Sequence, residues 1–179
     1  MTEPARAHLA VPVTEHDHLQ GAATAPVTLV EYGDYECPYC GQASGIVQEV
    51  QRRLGDRLRF VFRNFPLTNA HPHAAHAAEA AEAAAAQGKF WEMHDYLYEH
   101  QRALDDPHLL QAAEQLGLDV VRFQQEMAGH LHAARVREDF MSGVRSDVHG
   151  TPTFFVNGVR HDDAYDLDTL LAAVERAAR

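Results

Sequence analysis

Ala25-Pro26-Val27-Thr28-Leu29-Val30-Glu31-Tyr32-Gly33-Asp34-Tyr35-Glu36-Cys37-Pro38-Tyr39-Cys40 is the stretch on which the reading of this chain turns. Pro26 opens a short β-branched, apolar run through Tyr32, the pattern of a buried strand. Gly33-Asp34 breaks it. Pro38 suits the first position of a helix, where a missing N–H costs nothing. Ile46, Val47, Val50 and Leu54 then recur at helical spacing until Gly55-Asp56. Leu58–Phe65 reads as a second strand. Residues 26–65 are therefore β-α-β, which implies a right-handed crossover between parallel strands. The two cysteines fall where the first strand hands over to the helix, the end of an open α/β sheet at which chemistry gathers.

Downstream, residues 66–148 are rich in Ala, Glu, Gln, His and Leu. Their spacing predicts helices over 72–87, 89–101, 107–116, 119–129 and 132–148, with breaks at Gly88, Asp105-Asp106-Pro107, Gly117 and Gly129. Strand signals return at Pro152-Thr153-Phe154-Phe155-Val156. Asn157-Gly158 predicts a tight hairpin turn into a partner strand at Val159–His161. Asp166 predicts the cap of a closing helix from Leu167 to Ala178. Upstream, residues 1–25 read as an irregular arm with an edge strand near His8–Val13. The expected organisation is an arm (1–25), an α/β domain (26–65 and 149–179) and a helical insertion (66–148).

The chain has 179 residues, enough for one domain carrying an insertion and a core that needs no disulfide staples. Its formal net charge of -11 argues against a nucleic-acid partner, because phosphate binding needs a surplus of Lys and Arg. No stretch approaches the roughly 20 apolar residues of a membrane helix. Met1–Gln20 lacks the apolar core of an export leader. The expected location is therefore the cytoplasm, the alternative being export with a leader absent from this sequence.

The only two cysteines, Cys37 and Cys40, are separated by two residues. A bridge closing so short a loop constrains the unfolded chain little, so the pair points to chemistry rather than stability. At a helix N-terminus the partial positive charge and free N–H groups favour a thiolate on Cys37. Cys37 then attacks a substrate disulfide, and Cys40 resolves the mixed disulfide. Structural zinc wants four ligands, and neither a second Cys pair nor histidines at finger spacing are present. C-x-x-C beside a β-α-β pattern is a redox signature.

Glu31 stands in an otherwise apolar strand six residues before Cys37. An acid buried there has its pKa raised and can take and return the Cys40 proton. Pro152 is awkward inside a central strand but suits a cis bond in a tight turn. That arrangement leaves Thr151 backbone groups to pair with a substrate strand, with Pro38 and Tyr39 completing the expected substrate-binding set. His73 and His76 share a helical face, which could carry a bridging metal but is more often merely solvated. His71 and His149 are the other histidines of note, the latter a candidate for tuning Cys37. The aromatic segment Phe90, Trp91, Tyr96 and Tyr98 reads as packing, with Tyr35 and Tyr39 on the rim of a peptide groove.

Glu31…Cys37-Pro38-Tyr39-Cys40 together with Gly150-Thr151-Pro152-Thr153-Phe154 resembles the DsbA-like branch of the thioredoxin-fold proteins. The likeness extends to Ala25–Glu31, to His71-Pro72 and to Gly88-Lys89-Phe90-Trp91-Glu92-Met93-His94, and covers roughly residues 17 to 178. It implies an α/β thioredoxin-like fold with an inserted all-helical subdomain. It also implies Cys37 as nucleophile, Cys40 as resolving thiol, Glu31 as buried proton acceptor and Pro152 in cis. Two departures stand out. Pro38-Tyr39 is similar to the dipeptide of glutaredoxins rather than the Pro-His of strong oxidants, and Thr151 replaces the Val usual in those oxidants.

The function expected is protein disulfide exchange, covering oxidation, reduction and isomerisation, with no cofactor and no metal. The expected partners are protein thiols and disulfides, and a redox partner protein or a small thiol such as glutathione. The competing class is a peptide- or metal-binding module of the same fold without turnover.

Overall fold

The computed structural model describes residues 5–179. Chain contacts divide it into a sheet unit (Met1–Gly33, Gln42–Arg63 and Met141–Arg179) and a helical unit (Asp34–Gly41 and Asn64–Phe140).

The sheet unit is built on five strands: β1 (His18–Gly21), β2 (Val27–Gly33), β3 (Leu58–Asn64), β4 (Thr153–Val156) and β5 (Val159–His161), in the order β1-β3-β2-β4-β5. The two strands of the expected β-α-β unit are thus neighbours. β2 and β3 are buried along almost their whole length, which is why their apolar runs are nearly continuous rather than alternating. β4 runs antiparallel to β2, setting Glu31 opposite Phe154 and Tyr32 opposite Thr153.

Asn157 (φ 47°) and Gly158 (φ 81°) both take the left-handed conformation that a two-residue turn of this type requires. Val156 and Val159 close the hairpin. The Asn157 side chain also accepts the Thr28 N–H at 2.8 Å, tying the turn to β2. Helix α1 (Pro38–Leu54) starts in the helical unit and continues through the sheet unit. The closing helix, called α7 below, spans Leu167–Ala177. It is capped by Asp166, whose carboxylate accepts the Thr169 N–H, and it packs on β2 and β4.

The arm departs from expectation. The stretch near His8–Val13 contributes an isolated bridge, His8 to Val159, and the regular strand lies later, at β1. Pro12 has no N–H to give a ladder. The Val11 and Pro12 carbonyls accept instead from Arg63 at 2.9 and 3.1 Å. Arg63 also forms a two-pronged ion pair with Asp17 (2.8 and 3.0 Å) and donates to the Tyr32 hydroxyl.

The helical unit holds α2 (Ala74–Ala85), α3 (Phe90–Glu99), α4 (Asp106–Gln115) and α5 (Val120–Ala128). The first part of α6 (Ala133–Arg145) also belongs to it. All five predicted helices are present; α4 is shifted one residue toward the N-terminus at its predicted length, and the other four are slightly shorter than their periodicity suggested. Asp105 and Asp119 cap α4 and α5 by accepting the His108 and Arg122 N–H groups. α2 is the central element and packs on α3, α4 and α5. Its buried alanines explain its low-complexity sequence, since small side chains let neighbouring helices approach.

Inside this unit Asn64 donates its side-chain amide to Glu82 (2.8 Å) and Asp139 (3.0 Å), and its backbone N–H to Asp139 (2.9 Å). Burial pushes the Asp139 carboxyl up to about 6, against the pull of Arg135 and the Asn64 hydrogen bonds. No helix among the described residues is long and apolar enough to cross a membrane.

Candidate active site: the Cys37–Cys40 turn

Cys37 and Cys40 are two buried thiols at the start of α1, 4% and 0% exposed. The Cys37 N–H donates to the Asp34 carbonyl at 3.1 Å, forming the turn that ends β2. The Cys37 carbonyl accepts the Gly41 N–H, the first bond of the helix. Cys37 therefore stands at the helix N-terminus, as the position of Pro38 predicts. Pro38 and Tyr39 are exposed, Tyr39 by 61%.

Asp34 organises this turn. It is buried, and its backbone N–H donates to Cys40 Sγ at 3.5 Å. One carboxylate oxygen accepts the Glu36 N–H at 2.7 Å. The other accepts the Leu67 N–H at 2.9 Å and meets His71 Nδ1 at 2.7 Å. A second acid–histidine contact sits beside it, with Glu36 accepting the His73 N–H at 2.7 Å and lying 3.0 Å from His73 Nδ1. Burial works against protonation of His71. The hydrogen bond to Asp34 and the charges of Asp34, Cys37 and Glu36 outweigh it and hold the His71 pKa above the ordinary histidine value.

Gln101 braces the same loop, its side-chain amide donating to the Tyr35 carbonyl (2.9 Å) and the Cys37 carbonyl (2.8 Å). The approach is so close that a Cβ added at Gly41 would collide with the Gln101 side-chain oxygen. A side chain at this position would therefore have to push the Gln101 amide aside.

Tyr35 is not on the rim of a groove. It is 1% exposed, its hydroxyl lies 3.0 Å from His94 Nδ1, and its ring packs on Tyr98. An aromatic with a polar tip is buried when that tip finds a partner. The segment from Phe90 to Tyr98, expected to pack the helical block on the sheet, packs against α2 and α4, with Phe90, Met93, His94, Leu97 and Tyr98 buried and Trp91 and Tyr96 half-buried.

In the sheet unit, Glu31 is buried in β2, and the Thr151–Pro152 bond is cis. Thr151 and Pro152 are half-buried, next to the Thr153 hydroxyl, which donates to the Gly150 carbonyl. His149 is largely exposed and pairs with Asp147 at 2.6 Å. The predicted shared face of His73 and His76 resolves into two separate contacts, His73 with Glu36 and His76 with Asp106.

Asp34, His71 and Gln101 were not identified from sequence as parts of the site. The available signals were Asp34 just past the strand end and His71-Pro72 within the family resemblance. Gln101 carries no local signal.

A family model described as "Thioredoxin" matches residues 13–176, and the chain belongs to that family. The Na(+)/H(+) antiporter NhaA 1 of Salinispora arenicola is 52% identical over 170 residues, which cover 94% of this chain and 26% of that protein. The chain thus spans about a quarter of the length of such relatives. BdbD from Bacillus subtilis, solved in its oxidised form, shares the fold at 24% identity with a TM-score of 0.83, covering 99% of each chain. A thioredoxin-like oxidoreductase from Silicibacter pomeroyi is 29% identical with a TM-score of 0.81, covering 92% of this chain and 93% of that one. The thioredoxin-like fold that the sequence resemblance implies is therefore met in three dimensions.

Proposed function

We propose that this chain exchanges disulfides with protein substrates through Cys37 and Cys40. The observation that carries the reading is the local geometry. Two thiols flank the first turn of α1, one at the helix N-terminus and the other fully buried and receiving the Asp34 N–H. The positive end of the helix favours the thiolate that must attack.

In the reducing direction, Cys37 thiolate attacks one sulfur of a substrate disulfide. A Cys37–substrate bond forms, and the other substrate sulfur leaves as a thiolate. Cys40, losing its proton, attacks the Cys37 sulfur. The substrate's second sulfur leaves, and the Cys37–Cys40 disulfide carries the two electrons' worth of oxidation. The family resemblance assigns Glu31 the Cys40 proton, and Thr151, Pro152, Pro38 and Tyr39 the substrate chain. A redox partner protein or a small thiol such as glutathione restores the pair. The reverse sequence oxidises a substrate dithiol.

In the longer relatives we assign this thiol chemistry to the stretch matched by the present chain, and the antiport of their names to the rest of their length. Cys37→Ser should abolish catalysed reduction of a model disulfide, whereas Cys40→Ser should accumulate the mixed disulfide. Activity surviving in Cys37→Ser would refute the mechanism. The reduction potential of the pair then sets direction: near about -120 mV the chain is an oxidant, near about -270 mV a reductant.

A further inference from the structure

His76, Glu79 and His130 converge in the helical unit, well apart in sequence from the cysteine turn. Each offers one ligand atom, and these atoms lie within 4.8 Å of one another. His76 and Glu79 are three residues apart on α2 and so share a face. His130 follows α5, and its Nδ1 lies 3.0 Å from the buried Glu79 carboxylate. The two imidazole rings stand 5.6 Å apart.

Two details go beyond proximity. His76 Nδ1 lies 2.8 Å from the Asp106 carboxylate, which leaves Nε2 to coordinate. A carboxylate behind a histidine is the usual support of a metal-ligating imidazole. His130 has φ 50°, in the left-handed region where glycine is unstrained and histidine is among the better-tolerated other residues. Both histidines also line a cleft of about 450 Å³ whose other walls include Leu109, Leu110, Phe123 and Met127.

We propose that His76, Glu79 and His130 bind one divalent transition-metal ion of the zinc type. Two imidazoles and one carboxylate are a donor set suited to such an ion, and three protein ligands leave a coordination position open. In a tetrahedral site with bonds of roughly 2 Å the ligand atoms stand about 3.4 Å apart, so atoms as far apart as 4.8 Å draw together by about 1.4 Å through side-chain rotation. The ion takes the place of the proton between His130 and Glu79, and water or a small anion in the cleft fills the remaining position.

The test is equilibrium dialysis of the untagged full chain against Zn2+, in a Cys37→Ser/Cys40→Ser background so that thiolates contribute nothing. One Zn2+ per chain is expected. Its affinity should fall at least tenfold in both His130→Gly and Glu79→Gln. His130→Gly relaxes the backbone at that position, so a loss of binding there is not a loss of folding. Substoichiometric binding in this background, or an affinity unchanged by His130→Gly, would overturn the proposal.

Discussion

The Asp34 carboxylate meets the His71 imidazole at 2.7 Å, and the same Asp34 residue donates its backbone N–H to the Cys40 sulfur. The pair therefore couples a titrating group to the reactive turn. Negative charge at Asp34, Cys37 and Glu36 favours protonated His71 over the opposing effect of burial. By reciprocity, protonated His71 favours a charged Cys37.

His71→Ala should therefore slow alkylation of Cys37 by iodoacetamide near pH 6, by roughly three- to tenfold. Measured across pH, the midpoint of the alkylation rate should move up. An unchanged profile would show that His71 serves only to anchor the loop.

Gly41→Ala should displace the Gln101 side chain and break its hydrogen bonds to Tyr35 and Cys37. The expected cost is about 1–3 kcal/mol in urea unfolding. Gln101→Ala removes the same bonds, so the double variant should cost less than the sum of the two singles.

Arg63 and Asp17 form an ion pair whose side chains are only 3% and 7% exposed. Removing one partner strands the other charge in a buried position. Asp17→Ala should cost about 3–5 kcal/mol in the same measurement. A loss typical of a surface pair, under about 1 kcal/mol, would contradict the burial.

Acid–base behaviour should be unusual. The Asp139 carboxyl, raised to about 6 by burial, is more easily protonated folded than unfolded. Its contribution to stability is thus largest at low pH and declines as pH rises from roughly 4 through about 6. The raised His71 pKa acts in the same sense: its contribution is complete below about 6.5 and fades as pH rises through the higher folded value. Thermal unfolding followed from pH 4 to pH 8 should show both declines. Asp139→Asn should flatten the first and leave the second.

What could be read from sequence was local. The Cys37–Cys40 spacing, the Pro38 helix start, the Asn157-Gly158 turn and the Asp166 cap each act within a few residues, and each took its expected form. The Asp34–His71 contact spans 37 residues and the Gln101–Cys37 brace 64, so no periodicity announces them. Tyr35 misled for the same reason. Its position beside the cysteines suggested exposure, while the distant His94 and Tyr98 provide a buried place for it.

The bridge between the arm and β5 bears on how the protein behaves in crowded solution. Ala7 accepts the Arg160 N–H at 2.9 Å, and Leu9 donates to Gly158 at 2.8 Å. These bonds occupy the Arg160 N–H of the last strand in the sheet and the Gly158 carbonyl of the turn that leads into it. An uncovered strand of that kind is a template on which another chain adds itself. Three residues of unremarkable arm, Ala7 to Leu9, thus act as a guard against self-association, a contribution to colloidal behaviour rather than to folding or chemistry.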